Sequence, residues 1–288
     1  MDTIKGKGEL IVHFGGGLGN QLFSYALYSL LKEQGKNVTA DLSHYVQSRR
    51  SLLLNEVFKN CRIRECDYIL KERYFSDGKY CYDEIINRHN EDTIYDPAVL
   101  DMTEGYIYGY FQTCRYAEMN DTTLRNKLIA NEKLKDITDS LAERYIAPDD
   151  ICVHVRRGDF LSEKNVKIYG GICTENYYMN ALAGIRESNK TGKLFVFSDD
   201  YEWILENSSK YGFTYIDRNA IREYRDYFDL ILMSKFRYQI ISNSTFSWWG
   251  AWLCDNPEQI VAPCRWINIR NMDDIIPKEW RKAENVIC

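Results

Sequence analysis

The stretch Ile151-Cys-Val-His-Val-Arg-Arg-Gly-Asp-Phe160 decides how this chain is read. An apolar run interrupted only by His154 reads as a short buried strand, and it stops abruptly at Arg156 and Arg157. Arginine is a planar, permanently charged fork that grips phosphate through paired hydrogen bonds. At the C-terminal end of a parallel strand it faces the crevice where α/β sheets bind ligands. The segment therefore predicts a pocket for a charged, phosphorylated small molecule. His154 sits between apolar neighbours and reads equally as a satisfied core histidine. Period-two geometry places it on the face of Arg156, which favours the site.

Outward from this strand the second half alternates strand and helix. Helices are expected over 175–186, capped by Thr174, and over 203–211, 226–234 and 245–253. Strands are expected over 194–197, 213–216, 238–242 and 259–262, which is the pattern of a doubly wound α/β domain. Three strand ends then converge: His154 to Asp159, Ser198-Asp199-Asp200, and Asn243-Ser244-Thr245-Phe246-Ser247. The third opens a helix, whose N–H groups and hydroxyls suit an anion. Asp199-Asp200 reads either as a ligand contact or as a helix cap. Trp248, Trp249 and Trp252 read as core packing.

The first half opens β-loop-α-β. Leu10 to Phe14 runs into Gly15-Gly-Gly-Leu-Gly-Asn20, then Leu22, Phe23, Ala26, Leu27, Leu30 and Leu31 recur at helical spacing. Gly35 closes that helix, and a second strand runs to Leu42. Position 20 is Asn, so the glycines miss the dinucleotide fingerprint, and no Gly-Lys-Ser/Thr follows as in a Walker loop. What remains is a tight turn presenting Asn20 and Gln21, whose amides suit a sugar or phosphate, or a helix cap. Residues 44–105 read as an insertion of short helices and loops, followed by a strand over 105–112. The expected domains are 1–147 and 148–288.

The 288 residues fit two domains of ordinary size, and the net charge of −5 argues against nucleic acid as a main partner. Nine scattered cysteines without CxxC pairs read as reduced, buried thiols. The start of the chain has no signal-peptide pattern, and no apolar run reaches the roughly 20 residues of a membrane span. A cytoplasmic protein is expected.

Seven segments together resemble the bacterial α-1,2-fucosyltransferases, glycosyltransferase family 11. They are Gly16-Gly-Leu-Gly-Asn-Gln-Leu-Phe23, Gly109-Tyr-Phe-Gln112, His154-Val-Arg-Arg-Gly-Asp159, Phe195-Val-Phe-Ser-Asp-Asp200, Asp229-Leu-Ile-Leu-Met-Ser234, Ile241-Ser-Asn-Ser-Thr-Phe-Ser-Trp-Trp-Gly250 and Pro263-Cys-Arg-Trp266. They stand in the family's order and cover nearly the whole chain. The resemblance implies an α/β, GT-B type fold with two Rossmann-like domains facing a central cleft. It implies GDP-β-L-fucose as donor, the 2-hydroxyl of a galactoside as acceptor, inversion at the anomeric carbon, and no metal or other cofactor.

The residue roles implied by the resemblance follow. Arg156 holds the β-phosphate and Arg157 supports it. His154 and Asp229 face the guanine. Ser244, Thr245 and Ser247, with Asn243, Ser198 and Asp199, complete the donor site. Asn20 matches a functional Asn that follows a similar glycine loop in protein O-fucosyltransferases. Gln21, Tyr110 and Gln112 are acceptor-side candidates. The general base is Asp159, Glu163 or neither, because a carboxylate beside two arginines is a weak base and serves equally as a partner of Arg157. A lipid-linked glycan acceptor would bring the protein to the inner membrane face, whereas a free oligosaccharide would not. The competing readings are transfer from another nucleotide sugar such as GDP-mannose, a non-catalytic nucleotide-binding protein and, last, a dinucleotide oxidoreductase.

Overall fold

The computed structural model describes residues 8–48, 50–87, 90–221 and 224–284. The chain separates into two compact units, Met1–Ile129 and Ala130–Cys288. The helix Glu132–Tyr145, expected in the first domain, belongs by its contacts to the second. Its Leu141 and the following Ile146 pack on the buried cluster of Cys152, Phe195 and Leu232. Sequence reading placed the boundary at the next proline, Pro148, because a helix's partner cannot be read from its own periodicity.

The first unit is built on strands β1 (Leu10–His13), β2 (Val38–Asp41), β3 (Cys81–Asp83) and β4 (Gly105–Tyr108), all parallel, in the order β2-β1-β4-β3. Leu10, Ile11 and Val12 are fully buried, as a central parallel strand requires. The helix Leu18–Glu33 follows the glycine turn and buries most of its length, ending before Gly35 as expected. The insertion contributes β3, an edge strand of three residues, too short to show an alternating pattern.

The second unit carries β5 (Ile151–Val155), β6 (Leu194–Ser198), β7 (Phe213–Thr214), β8 (Tyr238–Ile240), β9 (Gln259–Pro263) and β10 (Arg281–Ala283). They form a parallel six-stranded sheet in the order β10-β9-β8-β5-β6-β7. This is the expected doubly wound α/β arrangement. Only β10 was not anticipated, since two of its three residues, Arg281 and Lys282, are exposed and charged. The strand order reverses between β5 and β8, which opens a crevice at their C-terminal ends. Trp248 and Trp249 are fully buried and Trp252 nearly so, as packing residues.

Tyr177, fully buried on the helix Glu175–Arg186, ties that helix to the sheet. Its hydroxyl reaches the carbonyls of Ile241 at 2.5 Å and Val261 at 3.3 Å. Thr174 stands at the N-cap of this helix without the expected side-chain capping bond. Tyr177→Phe removes a buried donor while keeping the ring. It is expected to cost about 1–3 kcal/mol, read as a lower urea midpoint at unchanged slope.

Candidate functional site

The register of the second sheet sets the site. Val155 pairs with Ser198 across β5 and β6, so the chain leaves both strands at the same level. Arg156 and Arg157 therefore meet Asp199 and Asp200. The Arg156 guanidinium lies 2.5 Å from Asp159 and 3.1 Å from Asp199, and it covers the ring of Phe160 at 5.3 Å. Arg157 donates its backbone N–H to Asp199 at 2.8 Å and its Nε–H to Asp200 at 3.0 Å, with its guanidinium over Trp203. Asp200 also caps the helix Tyr201–Tyr211 by accepting from the Trp203 N–H. The Asp199-Asp200 pair thus holds the arginines and starts a helix. Asp159 pairs with Arg156, where Arg157 was the expected partner. Glu163 lies in the first turn of the helix Glu163–Tyr169.

Gly158 permits this arrangement. A Cβ there would stand 2.1 Å from an Asp199 carboxylate oxygen. Only the missing side chain lets that carboxylate sit against the turn and reach both the Arg157 N–H and the Arg156 guanidinium.

Deeper in the crevice, His154 is buried, with Nδ1 2.8 Å from the Ser242 hydroxyl. Burial first, then the charges of Arg156 and Arg218, push its pKa down to about 3, so the ring is neutral. Arg218 donates to the Ser198 carbonyl and to Asp229, both at 2.6 Å, and lies over the rings of Tyr201 and Tyr224. Burial raises the Asp229 carboxyl to about 6, against the pull of Arg218.

The third strand end behaves as a scaffold that leads into a helix. Asn243 donates its amide to the carbonyls of Tyr169 and Trp266, and Ser247 donates its hydroxyl inward to Ser242 and Ser244. Ser244 is the N-cap of the helix Thr245–Trp252. The first intrahelical bond runs from Trp248 N–H to the Ser244 carbonyl, so the N–H groups of residues 245–247 precede the helix's own bonding.

In the first unit, Gln112 donates to the Asn20 side chain at 3.1 Å, which joins the glycine turn to the segment after β4. Tyr110 is 42% exposed and its backbone N–H is held by Glu84. Gln21, expected on the acceptor side, is fully buried. Its amide donates to the Gly16 and Ser51 carbonyls and accepts from the Leu53 N–H, so it fixes the turn. Among the described residues, no group of three or more His, Cys, Asp or Glu side chains could hold a metal ion, and no helix is long and apolar enough to cross a membrane.

Residues 3–284 match the profile of glycosyl transferase family 11. The chain belongs to this family. It is 27% identical to an alpha-1,2-colitosyltransferase of Escherichia coli, over 96% of this chain and 99% of that one. It is likewise 27% identical to the O-antigen biosynthesis glycosyltransferase WbnK of Escherichia coli, over 92% and 97%. In fold it is similar to the fucosyltransferase NodZ from Bradyrhizobium, with a TM-score of 0.54 at 15% identity, covering 88% of this chain and 95% of that one.

Two residues of this family 11 site were invisible in the sequence. Arg218 follows the two-residue strand β7 and carries no motif. Its place beside Asp229 comes from the fold alone. Gly158 stood within the quoted motif, but only the approach of Asp199 gives it a role.

Gly158→Ala is expected to push Asp199 off Arg156 and lower stability by about 1–3 kcal/mol, read as a lower Tm by thermal melts. His154 sets a pH dependence. Its folded pKa of about 3 lies below the unfolded value of 6.5, so the unfolded chain takes up the proton first and stability falls as pH drops from 6.5 towards 3. Asp229, raised from 3.8 to about 6, acts oppositely and loses stability as pH rises through that window. His154→Gln is therefore expected to flatten the acid-side fall of Tm, read by thermal melts across the pH range.

Proposed function

We propose that this family 11 glycosyltransferase moves L-fucose from GDP-β-L-fucose to the 2-hydroxyl of a terminal β-galactoside by single displacement. The observation that carries the reading is Arg156, held at the reversal of strand order beside the start of the helix Thr245–Trp252. The acceptor oxygen attacks the anomeric carbon as GDP departs from the opposite face. Charge grows on the β-phosphate, and the Arg156 guanidinium, still held by Asp199, stabilises it. His154, neutral and buried, and Asp229 with Arg218 offer hydrogen-bonding edges of the kind a guanine needs. The names of the relatives support an α-1,2 linkage and a part in O-antigen biosynthesis. A lipid-linked acceptor would bring the protein to the inner membrane face.

The charge balance assigns Asp159 a part. Arg156, Arg157 and Arg218 face Asp159, Asp199, Asp200 and Asp229, which is three positive charges against four negative, or −1. A diphosphate enters such a cluster by replacing a carboxylate. Asp159 is the most exposed of those held on Arg156, at 45% against 24% for Asp199. It yields its place to the donor and is thereby not the base. Asp159→Asn is expected to tighten GDP binding several-fold by calorimetry. Weaker binding would mean that Asp159 orients Arg156 and stays.

A second reading takes colitose, the 3-deoxy form of L-fucose, as the transferred sugar, favoured by the name of the 27% identical relative. The deciding experiment offers the enzyme GDP-fucose, GDP-colitose and GDP-mannose with a panel of β-galactosides, followed by mass spectrometry and linkage analysis. An α-1,2-fucosylated product is expected, and GDP-fucose is expected to give the highest kcat/KM. Faster transfer from another donor overturns the donor assignment, and another linkage overturns the regiochemistry.

A further inference from the structure

Arg218 differs from Arg156 and Arg157 in taking its carboxylate partner from within a helix. It opens the short turn Arg218–Ala220 after β7, which Asp217 caps by accepting the Asn219 N–H at 2.9 Å. Its guanidinium joins two elements. Nη2 donates to the carbonyl of Ser198 at the end of β6 and to Asp229 Oδ2 on the helix Tyr227–Met233, both at 2.6 Å. The rings of Tyr201 and Tyr224 lie against it at 4.8 and 5.2 Å. The Arg218 side chain is 15% exposed and that of Asp229 11%, so the pair is largely withdrawn from water.

Burial disfavours the charged form of a carboxyl, and the adjacent guanidinium opposes that effect. Arg218 uses one lone pair of Oδ2. An ionised carboxylate has about four, so both oxygens can still accept. The two protonation states suit different bases. Ionised, Asp229 only accepts, which matches the adjacent N1–H and N2–H donors of guanine. Protonated, it offers one O–H beside one acceptor, which matches the N1 acceptor and N6–H donor of adenine.

Neighbouring groups do not share that task. Burial, then the charge of Asp229, pushes the Tyr224 phenol up, so it stays protonated. The same two causes push up the Cys152 thiol beneath. Asp226, at the N-cap of the same helix, adds negative charge and raises Asp229 further. Burial raises the Tyr201 phenol, which donates to Asp217 at 3.2 Å. His154, which faces Arg218, is neutral. Arg218 is the cation in contact with Asp229.

We propose that Arg218 determines the choice of nucleotide base: by holding Asp229 ionised, it makes the second unit select guanine over adenine. It acts through Asp229 and is a positioning residue. This assignment rests on the GDP-donor reading and lies wholly within the second unit. Donor affinity then depends on pH. Burial raises the Asp229 carboxyl from 3.8 to about 6. Guanine binds the ionised form, so affinity is complete above that value and falls roughly tenfold per pH unit below it. His154, with a folded pKa of about 3, does not change its charge over that window.

The test is the Kd for GDP-fucose as a function of pH, by calorimetry, with the preference for GDP over ADP measured at each pH. GDP-fucose serves for the profile because the terminal phosphate of free GDP itself titrates at about 6; GDP and ADP share that titration, which cancels from their ratio. The wild type is expected to lose affinity below about pH 6 and to favour GDP over ADP by at least about 100-fold at neutral pH. Arg218→Met is expected to move the fall in affinity upward by about one pH unit or more and to cut the neutral-pH preference roughly tenfold. Arg218→Lys keeps the charge and is expected to stay near the wild-type profile. Asp229→Asn, which cannot ionise, is expected to bind more weakly with a flat profile. A merely structural role for Arg218 would weaken binding by the same factor at every pH. That result, or an unchanged profile in Arg218→Met, overturns the assignment. Should Arg218→Met not fold, Asp229→Asn decides, and a profile that still falls with the wild type's overturns it. A wild type that prefers ADP or UDP to GDP would overturn the GDP-donor reading itself, and this assignment with it.

Discussion

The second unit depends on one constraint, the fixing of Arg156 between Asp159 and Asp199 at the end of β5. A guanidinium on a loop would lose that position to side-chain entropy and water. Here each contact has a structural cause. The parallel register of β5 and β6 brings Asp199 level with the turn. Gly158 leaves room for its carboxylate. Asp200 is fixed by its helix cap and in turn fixes Arg157. The stack of Phe160 on Tyr169 lies beneath the guanidinium, and Asn243 holds the Tyr169 carbonyl. Most of the motif is spent on holding a single fork of N–H donors in one orientation.

Much of this was legible beforehand because strand ends in a parallel sheet are marked by an abrupt change from apolar to polar residues. Val155 to Arg156, Phe197 to Asp199 and Ile241 to Asn243 are such changes, and all three meet in the structure. What sequence could not supply was pairing across the fold. Asp159 as the partner of Arg156 and Arg218 as the partner of Asp229 depend on loop geometry, which carries no periodicity. Gln21 misled for a related reason. A polar residue beside a glycine turn looks available to a ligand, yet its amide is fully engaged with the backbone at Gly16, Ser51 and Leu53. The two short edge strands, β3 and β10, were missed because three residues cannot declare a period.

The two units use the same architectural opportunity for different chemistry. Each sets residues at the end of a central strand, or just beyond it, against the end of a neighbouring strand. In the second unit those residues are arginines, suited to charge that develops on a leaving phosphate. In the first, His13 closes the strand against the buried Asp41, with the Tyr106 hydroxyl between them.

The most direct measurement is the kinetics of Arg156→Lys. Lysine keeps the charge, but its three N–H groups sit on one nitrogen, so it lacks the planar fork that spans Asp159 and Asp199 and pairs side by side with two oxygens of one phosphate. If the fixed fork stabilises the departing GDP, kcat for fucosyl transfer falls on the order of 100-fold while the Kd for GDP-fucose moves by no more than about threefold. An unchanged kcat, or a loss confined to Kd, would contradict the account.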